Sequence, residues 1–388
     1  MTSRIYAPSS EGEVVEAIAE AAGAGLKLDI RGNGSKAAIG ALVPDAAVLD
    51  MSRLAGVVDY DPAELVLTVR PGTPLSEIST LLAEAGQMFA FEPLDPAPML
   101  GSDAHATIGG MVAAGLAGSR RLTRGSVRDH LLGFSAVSGR GESFVAGGKV
   151  VKNVTGYDLA KLVSGSWGRL AALTELTLKV LPASAMCRTR VVSGLSPADA
   201  RLAMAKAMGS QADVAAAAFI PARDGRPSRT CLRLEGVAPS VSARSHILDL
   251  ALGGLDVQDA DPAQDDWKAL ADLSDFDRSD RLWRIVVPAR ALDVLAAQLD
   301  AAGARWLADW AGGLVWTDWS AAPAMLRSAV AGLGGHAMLL RADAETRAAV
   351  PAFQPLAAGV ASLEERVRRS FDPSGVFETG RFGDPRAD

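Results

Sequence analysis

Gly147-Gly148-Lys149-Val150-Val151-Lys152-Asn153-Val154-Thr155-Gly156-Tyr157-Asp158-Leu159, continued by Gly165-Ser166-Trp167-Gly168, is the stretch on which the fold turns. It gathers five glycines, an Asn, a Thr and a Tyr-Asp pair, and it runs into the strand-like Leu173 to Val180. Glycine has no Cβ, so such backbone can bring its N–H groups close to a large, flat, anionic ligand. Alone, the stretch is a glycine-rich turn. Three earlier glycine clusters in the same half of the chain give it a larger meaning.

The chain opens with a β-α-β pattern. Ser10 and Glu13 have capping-box spacing, and Val14, Val15, Ile18, Ala19 and Ala22 form an apolar helical stripe that stops at Gly23 and Gly25. Leu26 to Ile30 alternates as a strand and leads into Arg31-Gly32-Asn33-Gly34-Ser35-Lys36-Ala37. Gly32-x-Gly34-x-x-Ala37 matches a dinucleotide fingerprint, with Asp50 near the spacing of a ribose-binding acid. That fold requires a packing helix directly after the glycines. Only eight residues separate Ala37 from the strand Ala46 to Leu49, Gly40 and Pro44 among them, so no such helix fits. A tight loop is expected instead. Either it wraps a pyrophosphate through successive N–H groups, with Asn33, Ser35 and Lys36 as added donors, or it is a plain strand-to-strand turn.

Further clusters follow in order. The strand Leu65 to Val69 ends in Arg70-Pro71-Gly72-Thr73-Pro74, and a helix carrying Leu75, Ile78, Leu81 and Leu82 closes before Gly86. Asp95-Pro96 leads to Gly101-Ser102-Asp103-Ala104-His105-Ala106-Thr107-Ile108-Gly109-Gly110, which opens a run of small residues from Met111 to Gly118. Gly125-Ser126-Val127-Arg128-Asp129 completes the series.

The succession R-G-x-G-S, V-R-P-G-T, D-P, A-T-I-G-G, G-S-V-R-D and K-N-V-T-G-Y-D-L resembles the FAD-binding domain of the vanillyl-alcohol-oxidase type, the PCMH fold. K-N-V-T-G-Y-D-L and the late F-D-P-S-G-V-F narrow the resemblance to the flavin subunits of bacterial glycolate oxidase, and within them to the smaller subunit without the metal-binding histidine signature. The resemblance spans residues 4 to 182 and returns from Arg366 to Phe382. It implies non-covalent FAD, since members that bond FAD covalently use a histidine in the first loop, where this chain has only Asn33, Ser35 and Lys36.

By the same resemblance, Arg31, Gly32, Asn33, Gly34, Ser35 and Lys36 hold the FAD pyrophosphate, opposed by Thr107, Ile108, Gly109 and Gly110. Pro71, Gly72 and Thr73 line the cofactor, with Gly101 and Ser102 beside it. Gly125, Ser126, Arg128 and Asp129 are expected near the adenosine and pyrophosphate end. Asn153, Gly156, Tyr157, Asp158, Gly165, Ser166 and Gly168 are expected to shape the flavin pocket. Two departures stand out: Arg169 and Ala171 replace the Thr and last Gly of G-S-x-G-T-L-G, and Glu378-Thr379-Gly380 replaces N-P-G.

From Pro182 the texture changes. Strands Thr189 to Val192, Val214 to Ile220 and Thr230 to Leu234 alternate with helices Pro197 to Met208 and Val241 to Leu252. A second round has Leu282 to Val287, helix Ala291 to Ala301, Arg305 to Trp310, Leu314 to Trp319, helix Ala324 to Leu333, and strand Ala337 to Arg341. The repeated βαββα order predicts a duplicated α+β cap. The fold class is thus α+β: a PCMH-type domain of two α/β subdomains over residues 1–182, the cap over 183–345, and a C-terminal helix and tail over 346–388 returning to the FAD domain. The Asp-rich Asp261 to Arg281 is expected to be a solvated loop or surface helix. Six of the seven tryptophans lie in the cap, as core or as an interface anchor near Trp306 to Trp319.

A net charge of -6 argues against nucleic acid or an anionic membrane as partner. No apolar window reaches the roughly 20 residues of a bilayer span, so the chain is expected in the cytoplasm, with any membrane association peripheral and through its complex. Cys187 and Cys231 form no C-x-x-C pair, and His105, His130, His246 and His336 show no metal-ligand spacing. No metal site is expected. The related catalytic subunits carry H-x-G-D-G-N-x-H where this chain has Gly334-Gly335-His336-Ala337, so the catalytic residues stay unknown, with Arg381 and His336 as weak candidates. The resemblance implies a second, catalytic flavin subunit and an iron–sulfur subunit as partners in glycolate (2-hydroxy-acid) oxidation. A stand-alone FAD dehydrogenase and a structural FAD subunit without turnover are the alternatives.

Overall fold

The computed structural model describes residues 4–148, 156–261, 265–277 and 279–383. Lys149 to Thr155, with the expected site residue Asn153, lies outside them. Among the described residues no helix is long and apolar enough to cross a membrane.

The first subdomain is a small parallel sheet. Its strands β1 (Ile5–Tyr6), β2 (Leu28–Arg31) and β3 (Ala47–Asp50) lie in the order β1-β3-β2. The helix Glu11–Gly23 buries Val14, Ala17, Ile18 and Ala21 in its core; of the expected stripe Val14 and Ile18 are buried, Val15 and Ala22 are half-buried at its edges, and Ala19 is exposed, the buried side being turned toward Ala17 and Ala21. Ser10 Oγ accepts from the Glu13 N–H at 3.3 Å, but the Glu13 carboxylate accepts from Ser9, not Ser10, so only half of the expected box forms.

The second subdomain is antiparallel throughout. Strands β4 (Val57–Asp61), β5 (Val66–Val69), β6 (Gln87–Phe89), β7 (Leu131–Ser138), β8 (Ser143–Gly147) and β9 (Ala171–Pro182) form the order β4-β5-β9-β7-β8, with β6 paired to the far end of β9. The helix Leu75–Glu84 sets Leu75, Ile78 and Leu82 into its core beside Leu67, Phe134, Leu176 and Leu178.

The cap is one eight-stranded sheet. Its strands are β10 (Met186–Ser193), β11 (Ala216–Ile220), β12 (Arg229–Gly236), β13 (Val257–Asp259), β14 (Leu282–Val286), β15 (Trp306–Asp309), β16 (Leu314–Thr317) and β17 (His336–Arg341). Their order, β13-β10-β12-β11-β15-β16-β14-β17, is a β-α-β-β-α-β unit and its counterpart joined where β11 meets β15. The closing strand of the first unit, β13, escapes the sequence pattern because its three residues hold one apolar side chain. Four helices, Pro197–Met208, Ala238–Ala251, Leu292–Ala301 and Pro323–Gly332, cover one face of the sheet over a common apolar core.

The other face meets the FAD-type subdomains. Its second half presents Leu307, Leu314, Trp316, Met338 and Leu340 to Ile39, Leu94, Met99, Ala114, Leu116 and Ala117. Its first half is charged: Arg233 Nη2 reaches both Glu92 oxygens at 3.0 Å, and Arg120 Nη1 lies 3.4 Å from Glu235 Oε2. The connection between the halves, expected as a solvated loop or surface helix over Asp261 to Arg281, holds a helix that is exposed on one side only. Its helix Asp266–Asp272 and the turn after it bury Leu270, Leu273 and Phe276 in the same interface. The buried Asp266 pairs with Arg229, so its charge serves packing, not solvation. The tryptophans divide: Trp283, Trp306 and Trp319 belong to the core under the helices, whereas Trp310 and Trp316 lie in the interface with the FAD-type subdomains, where Trp310 donates its Nε1–H to Gly118 O at 2.9 Å.

Candidate cofactor site

The loop from Arg31 to Ala37 leaves the carboxyl end of β2, next to the end of β3, the edge of a parallel sheet where ligands gather. Its opposite wall is Pro71 with Thr107, Gly109 and Gly110, and Met51, Ala113, Ala114, Gly168, Ala171 and Leu173 complete the lining. The cleft thus runs between the two subdomains. No helix follows the glycines. Residues 35–40 make consecutive turns, as the spacing to β3 requires, and Asp50 caps the next turn by accepting from the Ser52 N–H at 2.9 Å.

Glycine sets the walls' approach. A Cβ on Gly32 would fall 2.3 Å from Thr107 Oγ1, and Gly34 holds φ +79°, a conformation costly to other residues. The amides of Asn33, Gly34, Ser35 and Lys36 donate to no carbonyl among the described residues. Successive free N–H groups form an anion-binding concavity. Lys36 belongs to it. It is buried, its Nζ meets only the Ser35 hydroxyl at 3.3 Å, and no carboxylate pairs with it among the described residues. Burial lowers its ammonium to about 8, against the opposing attraction of Asp95. A buried cation beside four free amides fits a diphosphate, and the residues present therefore suit the FAD pyrophosphate.

Other expected residues do structural work nearby. Gly72 lets the chain pass under Met51, Ser52 and Leu54, whose carbonyl oxygens would lie 2.4–2.8 Å from a Cβ there. Thr73 is fully buried and donates to Arg70 O at 2.7 Å. Ile108 packs in the core behind the loop. Gly165 and Trp167 tie to the helix Ile108–Ala114 through Val112 O and Ala113 O, at 3.0 and 2.8 Å. Gly168 faces the cleft, whereas Gly165 and Ser166 line a second, larger cleft with His336, Met338 and Phe353. Trp167 and Phe382 line both clefts and pack with Phe353 in edge-on and tilted contacts, centroids 5.2–5.8 Å apart.

Three expected groups are not among the residues that line the cleft. Ser126 and Asp129 satisfy each other in a capping box, and Gly125 makes room for the Asp129 carboxylate. Asp158 caps the helix Leu159–Val163, and Arg128 donates to Lys161 O at 3.0 Å, so these two motifs meet each other. Gly156 and the exposed Tyr157 lie beside them, outside the lining of the cleft, and Gly101 and Ser102 form a turn outside it. Arg381, a weak catalytic candidate from sequence, is committed elsewhere: its guanidinium donates to Asp29, Ile39 O and Lys36 O. His336 lies on the second cleft, its imidazole held below its usual value by burial and by Arg284. Arg169, where the family pattern has Thr, pairs with Glu364 on the helix Ala358–Phe371. Sequence reasoning missed Met51, Ala113, Leu173 and Phe382, because ordinary apolar residues carry no signal until the topology sets them round a cleft.

Comparison with known proteins agrees with this geometry. The FAD binding domain family matches residues 2–147. Glycolate oxidase subunit GlcE of Escherichia coli (strain K12) is 36% identical over 360 residues, covering 92% of this chain and 92% of that protein. Glycolate oxidase subunit GlcD of Bacillus subtilis (strain 168) is 30% identical over 183 residues, 47% of this chain and 37% of that one. The solved structure of an alkyldihydroxyacetonephosphate synthase superposes with a TM-score of 0.70 at 16% identity, over 96% of this chain and 75% of that one, a likeness of fold alone. The architecture is PCMH-type, and with identity sustained along nearly all of both chains, this chain belongs to the GlcE family of FAD-binding glycolate oxidase subunits.

Proposed function

We propose that this chain is the FAD-binding electron-transfer subunit of a multi-subunit complex that oxidises glycolate or a close 2-hydroxy acid, working beside a second, catalytic flavin subunit and an iron–sulfur subunit. The observation that carries the cofactor assignment is Lys36, a buried ammonium without a carboxylate partner, set beside four free amides in a glycine-walled cleft. FAD, when bound, accepts a hydride and passes electrons on singly. The chain's own part is to hold it. The amides of Asn33 to Lys36 and the Lys36 ammonium neutralise the pyrophosphate, Thr107 and Gly109 close the opposite wall, and the Trp167–Phe382 pair shields one end from water.

Hydroxy-acid oxidation also needs a base for the hydroxyl proton and cations for the carboxylate. Among the described residues the charged groups lining this cleft are Lys36, which this reading gives to the pyrophosphate, Arg31, which pairs with Asp29, and Arg381, which is held by Asp29 and two carbonyls. Substrate chemistry is therefore assigned to a partner subunit. Cys187 and Cys231 are both free thiols, in keeping with a reducing cytoplasm; attachment to a membrane would be peripheral, through the complex.

The test is an anaerobic titration with glycolate, on the purified chain and on the complex isolated with it. The chain alone should be yellow, release all its FAD on acid precipitation, and keep its oxidised spectrum. The complex should bleach. Bleaching of the chain alone would make it a stand-alone dehydrogenase, and flavin left on the precipitated pellet would overturn the non-covalent assignment.

A further inference from the structure

Two arginines of the C-terminal segment grip the back of the phosphate loop. Arg381 donates through Nε to Ile39 O at 2.8 Å, through Nη1 to Asp29 at 3.0 Å, and through Nη2 to Lys36 O. Arg347 donates through Nε to Gly40 O at 2.7 Å and through Nη2 to Ala37 O at 3.2 Å. In return the Ala41 N–H donates to Arg381 O at 2.9 Å. The grip is close: a Cβ on Gly40, which sits at φ +85°, would lie 2.5 Å from Arg381 O.

The consequence lies within the loop. Four carbonyls, those of Lys36, Ala37, Ile39 and Gly40, accept from the two guanidinium groups, while the amides of Asn33 to Lys36, in residues that line the cleft, donate to no carbonyl among the described residues. The six residues from Gly32 to Ala37, outside any helix or strand, do not hold that arrangement alone, because each unfixed residue costs about 1–2 kcal/mol of backbone entropy to order. The planar fork of arginine suits the task, since one side chain spans several acceptors. Phe382, next to Arg381, forms part of the cleft wall, so the same segment both braces the loop and closes the site.

We propose that Arg347 and Arg381 are positioning residues for the cofactor diphosphate, and that docking of the segment around Val376 to Phe382 and occupation of the phosphate loop are one linked event. This rests on the FAD assignment above. Linkage is reciprocal: if the docked segment raises affinity for FAD, FAD must in equal measure stabilise the docked segment.

The experiment uses the full chain freed of flavin, titrated with FAD and followed by hydrogen exchange. In the wild type, FAD should slow exchange of the amides from Val376 to Phe382. Arg347→Ala should weaken FAD binding about tenfold, the worth of one or two charge-assisted hydrogen bonds, with the melting temperature of the flavin-free protein unchanged and the FAD-dependent protection lost. Arg347→Lys should not restore binding, because one ammonium cannot span Ala37 O and Gly40 O as the guanidinium does. Arg381→Lys should have a larger effect of the same kind, and Arg347 carries the test if that variant does not fold. Wild-type affinity in Arg347→Ala, or exchange from Val376 to Phe382 indifferent to FAD in the wild type, would overturn the inference. A wild-type protein that takes up no FAD would instead overturn the cofactor assignment on which it rests.

Discussion

Gly109 and Pro71 face each other so closely that a Cβ on the glycine would lie 2.5 Å from the proline Cβ, while the Gly109 N–H donates to Pro71 O at 2.8 Å. The opposite wall of the cleft is therefore a backbone-to-backbone contact. Gly109→Val must push the helix Ile108–Ala114 off Pro71, and with it the Thr107 edge that meets Gly32. The variant is expected to purify with less than about a tenth of the wild-type flavin content, judged by the ratio of flavin to protein absorbance, because a distortion of this kind costs at least 1–3 kcal/mol. Full flavin occupancy would show that this wall is not part of the site.

Lys36 gives FAD binding a pH dependence of defined sign. Its ammonium sits at about 8 in the flavin-free fold, lowered by burial, and a diphosphate beside it raises that value again. Below pH 8 the lysine is charged in both states and affinity is flat. Above pH 8 binding takes up a proton, so affinity should fall by up to tenfold per pH unit. Lys36→Met should bind FAD more weakly at pH 7 and lose that slope, as measured by fluorescence titration between pH 7 and 10. An unchanged slope would place the titrating group elsewhere.

The charged half of the interface should be brittle. Glu92 accepts from Arg233 at 3.0 Å through both oxygens and from the Arg120 N–H at 2.8 Å. Glu92→Ala leaves the nearly covered Arg233 guanidinium with Glu235 as its remaining carboxylate, 3.2 Å from Nε, so the loss is expected at about 1–3 kcal/mol, below the about 3–5 kcal/mol of a buried pair broken outright. Urea denaturation checks it, and a loss below 1 kcal/mol would mean that the network holds without Glu92.

Asp309 supplies a second pH signature, of the opposite kind. Burial raises its carboxyl to about 6, although the Ser119 hydroxyl and the Trp310 N–H both donate to it. A carboxyl raised in the fold adds stability that is complete below about pH 4 and is lost as pH rises through 6. The loss amounts to about 3 kcal/mol for a shift of two pH units. Asp309→Asn should remove that slope from the difference in stability between pH 4 and 6.5, read by thermal melting. Parallel curves for the two proteins would refute the assignment.

The sequence carried the fold further than it carried the site. Leu75, Ile78 and Leu82, or the two rounds of strand and helix in the cap, report burial through period, and period survives into three dimensions. The short spacing from Ala37 to Ala46 likewise excluded a packing helix, and none is present. Arg381 shows the limit. Its residue type suggests a catalytic cation, yet its neighbours Asp29, Ile39 and Lys36 are more than 340 positions away. Gly125 to Asp129 were expected near the cofactor from the family resemblance, and in the fold Ser126 and Asp129 form a helix cap, a use of the same residue types that the sequence does not distinguish from ligand binding. The Asp-rich Asp261 to Arg281 misled for a related reason: its many carboxylates drew the reading toward solvent and away from Leu270, Leu273 and Phe276, whose even spacing of three marks the buried side.

The two halves of the cap sheet have stayed alike where they lie under the helices and have parted company where they meet the cofactor-binding domain. Under the helices, Leu232, Leu234, Phe219 and Ala217 on one side answer Val315, Ile285, Trp306 and Ala308 on the other. On the opposite face the first half shows Arg229, Arg233 and Glu235, and the second Leu314, Trp316 and Met338. One half grips by charge and the other by aromatic and aliphatic surface, so an internal repeat has yielded two different adhesives from one scaffold.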